Sequence, residues 1–162
     1  MRLREHSTFD DGAFTGGLLL YLSLYFKLHR DEYYEALQRV RTEGDWDGWM
    51  AYYLEGVDWT ARRTIATTTA LTDLFRSDRE RIGPHARSSS TLRAFEVLQS
   101  RVVVSIRRVA DSLKVSVPTA TSALKRLEEL GIAREITGKT YGRIFVYARQ
   151  LEILNDSENV GA

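Results

Sequence analysis

From about Leu24 apolar residues recur in a helical pattern, which ends at the polar stretch 83–90. Ser23 is placed to cap a short helix, LYFKLH, over 24–29. Asp31 is placed to cap a second, EYYEALQRVR, over 32–41, with Tyr33, Leu37 and Val40 on one side. Gly44 ends that helix, and Asp45 caps a long segment running to about Arg81. Trp46, Trp49, Met50, Tyr53, Leu54, Val57 and Ala61 form one inward stripe, which Leu71, Leu74 and Phe75 resume. Between Thr64 and Thr72 stand five threonines, which weaken a helix and mark a place for a kink. Arg62-Arg63 and RSDRER (76–81) read as a solvated helix face.

GPHARSSS, residues 83–90, has turn formers and no apolar period, and reads as a linker. Beyond it the order changes. Leu92 to Ser100 is helical, with Ala94, Phe95 and Leu98 on its apolar side. Val102-Val103-Val104 is a β-branched run long enough for one strand. Ser105 caps IRRVADSL, which turns Ile106, Val109, Ala110 and Leu113 inward. After the turn Lys114-Val115-Ser116, Ser116 caps a helix from Val117 to Leu130 with Pro118 in its first turn. Val117, Ala120, Leu124, Leu127 and Leu130 face inward, and Gly131 stops the helix. Two strands, 132–137 and 143–148, flank the tip Gly138-Lys139-Thr140-Tyr141-Gly142. A short helix over 150–154 precedes a polar tail.

Helix, strand, helix, turn, helix and hairpin is the order of a winged helix-turn-helix domain. The expected architecture is therefore mainly α: a helical bundle over 1–82, a linker over 83–90, a winged helix-turn-helix with a small β-hairpin over 91–154, and a tail over 155–162.

The net charge of +1 conceals an asymmetry. Residues 1–90 hold 12 Lys/Arg against 14 Asp/Glu, a net of −2, whereas residues 91–149 hold 11 against 5, a net of +6. A basic second half points to a polyanion partner, here double-stranded DNA. On the helix after Ser116, the outward residues are Thr119, Ser122, Lys125 and Arg126, with Ser116 and Thr121 beside them. Small hydroxyl residues allow close approach to base edges, and the cations behind them reach phosphates. Lys139, Tyr141 and Arg143 at the hairpin suit a wing on the flanking groove. The competing reading is a protein-interaction module whose basic face is only solvated. Arg107 and Arg108, at a helix start where the dipole disfavours cations, fit either a phosphate contact or plain solvation.

The absence of cysteine excludes disulfides and thiolate metal sites. His6, His29 and His85 have no ligand spacing, so neither a metal nor a cofactor is expected. The first residues are too polar for a signal peptide, and LLLYLSLYF (18–26) falls short of the about 20 residues that cross a bilayer. A cytoplasmic protein without a membrane span is expected. That apolar run, with Trp46, Trp49 and Tyr53, is more than a chain of this size readily buries, so a homodimer through the N-terminal helices is expected. Trp46, Trp49, Trp59 and Tyr52-Tyr53 fit a core or an interface better than a stacking platform.

SLYFKLHRDEYYEALQRVRTEGDWDGWMAYYLEGV and VADSLKVSVPTATSALKRLEELGIAREITGK resemble the C-terminal helices and appended winged helix of Fic-family proteins, over roughly 20–154. The resemblance implies AMP transfer from ATP to a protein hydroxyl, through His-Pro-Phe-x-(Asp/Glu)-Gly-Asn-Gly-Arg-x-Gly-Arg. That motif is missing. Aligned on Asp11-Gly12, only Phe9 and Gly17 also match; Ser7, Ala13, Phe14, Thr15 and Leu18 replace the histidine, the asparagine, a glycine and two arginines. The family's inhibitory helix motif is missing as well: Glu43-Gly44, Glu55-Gly56 and Glu158-Asn159 follow Arg39, Ala51 and Leu154 where Ser or Thr is required. The expectation is a non-enzymatic DNA-binding regulator derived from a truncated Fic-family protein, with no catalytic residue. The alternative is an interaction module that acts with another, full-length Fic-family protein.

Overall fold

The computed structural model describes residues 22–83, 90–139 and 141–159. Its helices are α1 (described over 22–28), α2 (Arg30–Glu43), α3 (Trp46–Ile82), α4 (Ser90–Arg101), α5 (Ile106–Leu113), α6 (Val117–Glu129) and α7 (Ala148–Asn159). Three short strands, β1 (Val103–Ser105), β2 (Arg134–Glu135) and β3 (Ile144–Val146), form an antiparallel sheet in the order β1-β3-β2. The chain is thus mainly helical with one small sheet. His6 to Gly17, Leu18 to Tyr21, His85 and Thr140 lie outside the described residues.

The chain forms two units that divide between Thr67 and Thr68, inside α3. The expected linker is 83–90; the last turns of α3 group with the second unit, where Leu74 joins its core. The helix does not break at the threonines. Thr64 and Thr72 donate their hydroxyls to the carbonyls of Thr60 and Thr68 at 2.9 and 2.8 Å, which satisfies them within the helix.

In the first unit the core is aromatic. Tyr25 is buried against His29, Tyr52 and Trp59, with ring centroids 4.4, 5.6 and 5.6 Å away. A Cβ on Gly56 would come within 2.7 Å of the Tyr25 ring, so this approach of α1 to α3 needs glycine. Burial raises the Tyr52 hydroxyl pKa to about 12, with Tyr25 and Glu32 adding to the effect, and this hydroxyl donates to the His29 carbonyl at 3.3 Å. Gly44 ends α2 in the left-handed region at φ 71°, and Asp45 accepts from the Gly48 N–H at 2.8 Å. The other expected caps move. Ser23 lies within α1, and α2 begins at Arg30, ahead of Asp31, which with Glu32 instead places negative charge in the first turn.

The inward stripe of α3 is also corrected. Trp46, Met50 and Leu54 are more than half exposed, whereas Gly56 and Thr60 are buried. With Trp49, Tyr52 and Trp59 half-buried, the covered side is rotated from the one the apolar spacing favoured.

The second unit closes around Phe95, Leu98, Leu124, Leu127, Phe145 and Tyr147, each with no exposed surface. Val104 pairs with Phe145, and Glu135 pairs with Phe145 from the other side. Val102 does not begin the strand as expected. It sits at φ 59°, and its N–H donates to Leu98 O at 2.8 Å, closing α4 before β1 starts. Both hairpin strands are shorter than expected, and α7 is longer than the expected 150–154. Asp78 corrects the solvated reading of RSDRER. It is fully buried, accepts from the Tyr147 hydroxyl at 2.6 Å, and pairs with Arg81 at 3.0 Å and Arg149 at 3.4 Å. Burial, then this bond to Asp78, pushes the Tyr147 hydroxyl pKa far up.

Candidate nucleic-acid interface

Two helix ends set the geometry of α5 and α6. Ser105 accepts from the Arg108 N–H at 3.3 Å and Ser116 from the Thr119 N–H at 3.3 Å, so both serines cap as expected. Lys114 takes a left-handed conformation at φ 54°, and Arg93 donates to the Leu113 carbonyl at 2.7 Å, satisfying the end of α5. At the far end of α6, Gly131 at φ 67° reverses the chain and Arg81 donates to the Leu130 carbonyl.

Ala120, Ala123, Leu124 and Leu127 are the buried side of α6. Val117, expected inward, is 52% exposed, because the core side begins at Ala120. The outer side carries Ser122, Lys125 and Arg126, all exposed. Thr119 is only half-exposed, and its hydroxyl shares a 2.8 Å hydrogen bond with Ser116. The Thr121 hydroxyl donates to Val117 O at 2.8 Å, so its proton is committed within the helix. Arg126 pairs with Glu129 at 2.9 Å, but both side chains are over 60% exposed and the pair is weak. Ser122 and Lys125 are therefore the most available of the helix residues.

The hairpin tip holds Lys139 exposed, Tyr141 87% exposed and Arg143 half-buried. It is built on Glu135, whose carboxylate accepts from the Thr137 N–H at 2.8 Å, the Thr137 hydroxyl and the Gly138 N–H at 3.1 Å. The Thr137 hydroxyl bond and then its backbone bond hold the Glu135 carboxyl below the usual glutamate range, and Arg143 nearby adds to this. Glu128 of α6 accepts from the Glu135 N–H at 3.2 Å, which ties the hairpin to that helix.

Some cations of this unit have carboxylate partners and others do not. Arg79, Arg81 and Arg149 are matched with Glu96 and Asp78. Among the described residues, Arg101, Arg107, Arg108, Lys125 and Lys139 have no carboxylate within ion-pair distance. Arg101, Arg107 and Arg108 line one shallow depression with Ser105, Asp111 and Ser112, and Arg101 and Arg108 also flank Val103 and Ile144. Arg101 has no distinguishing local signal in the sequence. It meets the other two because β1 turns the chain back from α4 into α5.

No family model matches this chain. Among the described residues, no three His, Cys, Asp or Glu side chains are grouped to hold a metal ion. No described helix is long and apolar enough to cross a membrane.

Proposed function

We propose that residues 90–154 are a winged helix that binds duplex DNA, as part of a transcriptional regulator. In this reading α6 lies in the major groove, with Ser122 at base edges and Lys125 at phosphates. Lys139, Tyr141 and Arg143 meet the flanking backbone from the hairpin, and Arg101, Arg107 and Arg108 take phosphates beside the start of α5. The observation that carries the reading is a group of exposed cations without a carboxylate partner, Arg101, Arg107, Arg108, Lys125 and Lys139 among them, on α4, α5, α6 and the hairpin. Unpaired surface cations exchange counterions for phosphates on binding, which gives affinity that falls with salt.

Fluorescence anisotropy with a labelled duplex at two salt concentrations tests this. Lys125→Ala and Lys139→Ala are each expected to lower the salt slope by about one unit and to weaken all sequences alike. Ser122→Ala is expected to cost roughly 1–3 kcal/mol on a preferred sequence selected from a random duplex pool, and little elsewhere. Unchanged binding in the Lys125→Ala, Lys139→Ala double variant would refute the docking. An interaction module would show no salt-dependent duplex binding at all.

A further inference from the structure

Within the first unit α3 presents two apolar sides. Gly56 and Thr60 lie on the covered one, flanked by half-buried Trp49 and Tyr52. On the other, Trp46, Met50, Leu54 and Ile65 are 66%, 53%, 56% and 66% exposed, and Val57 and Ala61, both half-buried, lie on the same side. These six fall on one side of the helix at 3.6 residues per turn, in a stripe about 28 Å long at about 1.5 Å per residue.

We propose that this stripe joins two copies of the chain, packed antiparallel about a two-fold axis between Leu54 and Val57. A two-fold contact needs a patch complementary to itself. Reversed on itself, the stripe sets Trp46 against Ile65 of the partner subunit. It sets the long Met50 against the small Ala61 of the partner subunit, and Leu54 against Val57 of the partner subunit.

Charge selects the direction. Asp47 stands beside the start of the stripe and Arg62 beside its end, whereas Asp45 pairs with Arg39 and Arg63 lies over the Trp59 ring. Antiparallel packing brings Asp47 alongside the partner subunit's Arg62. Parallel packing would oppose acid to acid and arginine to arginine, which is unfavourable. Arg62 already bonds Asp58 through its Nε at 2.7 Å, but that pair is largely exposed and leaves the terminal guanidinium nitrogens for a second carboxylate. The surface lies wholly in the first unit and does not depend on DNA binding.

The natural chain has no cysteine, so introduced ones report contacts cleanly. Chains carrying Trp46→Cys and chains carrying Ile65→Cys, mixed while reduced and then oxidised, are expected to cross-link. Each alone is expected to stay uncross-linked, because like ends lie about 28 Å apart. Light scattering of the unaltered full chain is expected to give twice its 18.5 kDa mass. Leu54→Arg, at an exposed position, is expected to weaken the dimer at least about tenfold with unchanged helical circular dichroism. A single-chain mass at micromolar concentration overturns the proposal, whatever covers the stripe. So does a Leu54→Arg dimer as tight as the parent. Cross-linking of Trp46→Cys with itself, or none in the mixture, overturns the antiparallel arrangement.

Discussion

Phe95, Leu98, Leu124 and Phe145 have no exposed surface in the second unit, whereas in the described part of the first, Trp46, Met50 and Leu54 are more than half exposed. The apolar fractions of the two sequences do not explain this. In the second unit, helices and a sheet surround one point, and each element spends its apolar side there. In the first, rings packed at tilted angles around Tyr25 cover one side of α3, and among the described residues a second apolar side is exposed. The same helix type therefore carries a core residue at Leu74 and a surface residue at Leu54.

Truncating equivalent leucines tests this contrast most severely. Leu124→Ala is expected to cost about 2–5 kcal/mol in chemical denaturation, through a lost side chain and an unfilled cavity. Leu54→Ala is expected to stay within about 0.5 kcal/mol under conditions that keep the chain monomeric. Equal costs would mean that the α3 stripe is packed within one chain.

Asp78→Ala is expected to cost about 3 kcal/mol, where the range for a stranded buried hydroxyl meets that for a broken buried ion pair. Tyr147→Phe, which leaves both arginines on Asp78, should cost distinctly less. The comparison sharpens if 68–82 belongs to the second unit, since Asp78→Ala should then increase amide exchange in α7 and α4. A change confined to α1 and α2 would contradict the division at Thr67.

The smallest expected effect lies at the hairpin. The Glu135 carboxyl titrates below its unfolded value because the folded state hydrogen-bonds the charged form. Its contribution is therefore complete above the unfolded glutamate pKa, about 4.3, and is lost as pH falls through the lower folded value. The Gly138 amide is expected to lose protection only in that acid range. In Glu135→Gln the protection should be weaker at neutral pH and insensitive to acid. An NMR titration of that amide distinguishes the two, and a transition near neutrality in the parent would exclude Glu135 as its origin.

Much of this molecule was determined locally. Ser105, Ser116 and Asp45 cap their helices, and Gly44 and Gly131 end theirs, because caps and left-handed stops depend on a few neighbouring residues. The buried side of α6 beyond its first residue also followed from spacing alone. Exposed Ser122, Lys125 and Lys139 were legible as candidate contacts from the helix period and the hairpin turn. Other features required the chain to be brought together. Asp78 reads as one more charge in RSDRER until Tyr147, 69 residues later, supplies a hydroxyl and a dry environment. Arg101 joins Arg107 and Arg108 only because β1 reverses the chain. The stripe on α3 has an unambiguous period, but a period states that a side is apolar and not which neighbour covers it. With two apolar sides available, the choice fell to the approach of Tyr25 onto Gly56, where the missing side chain lets two helices close, and that contact turned Trp46 and Leu54 outward.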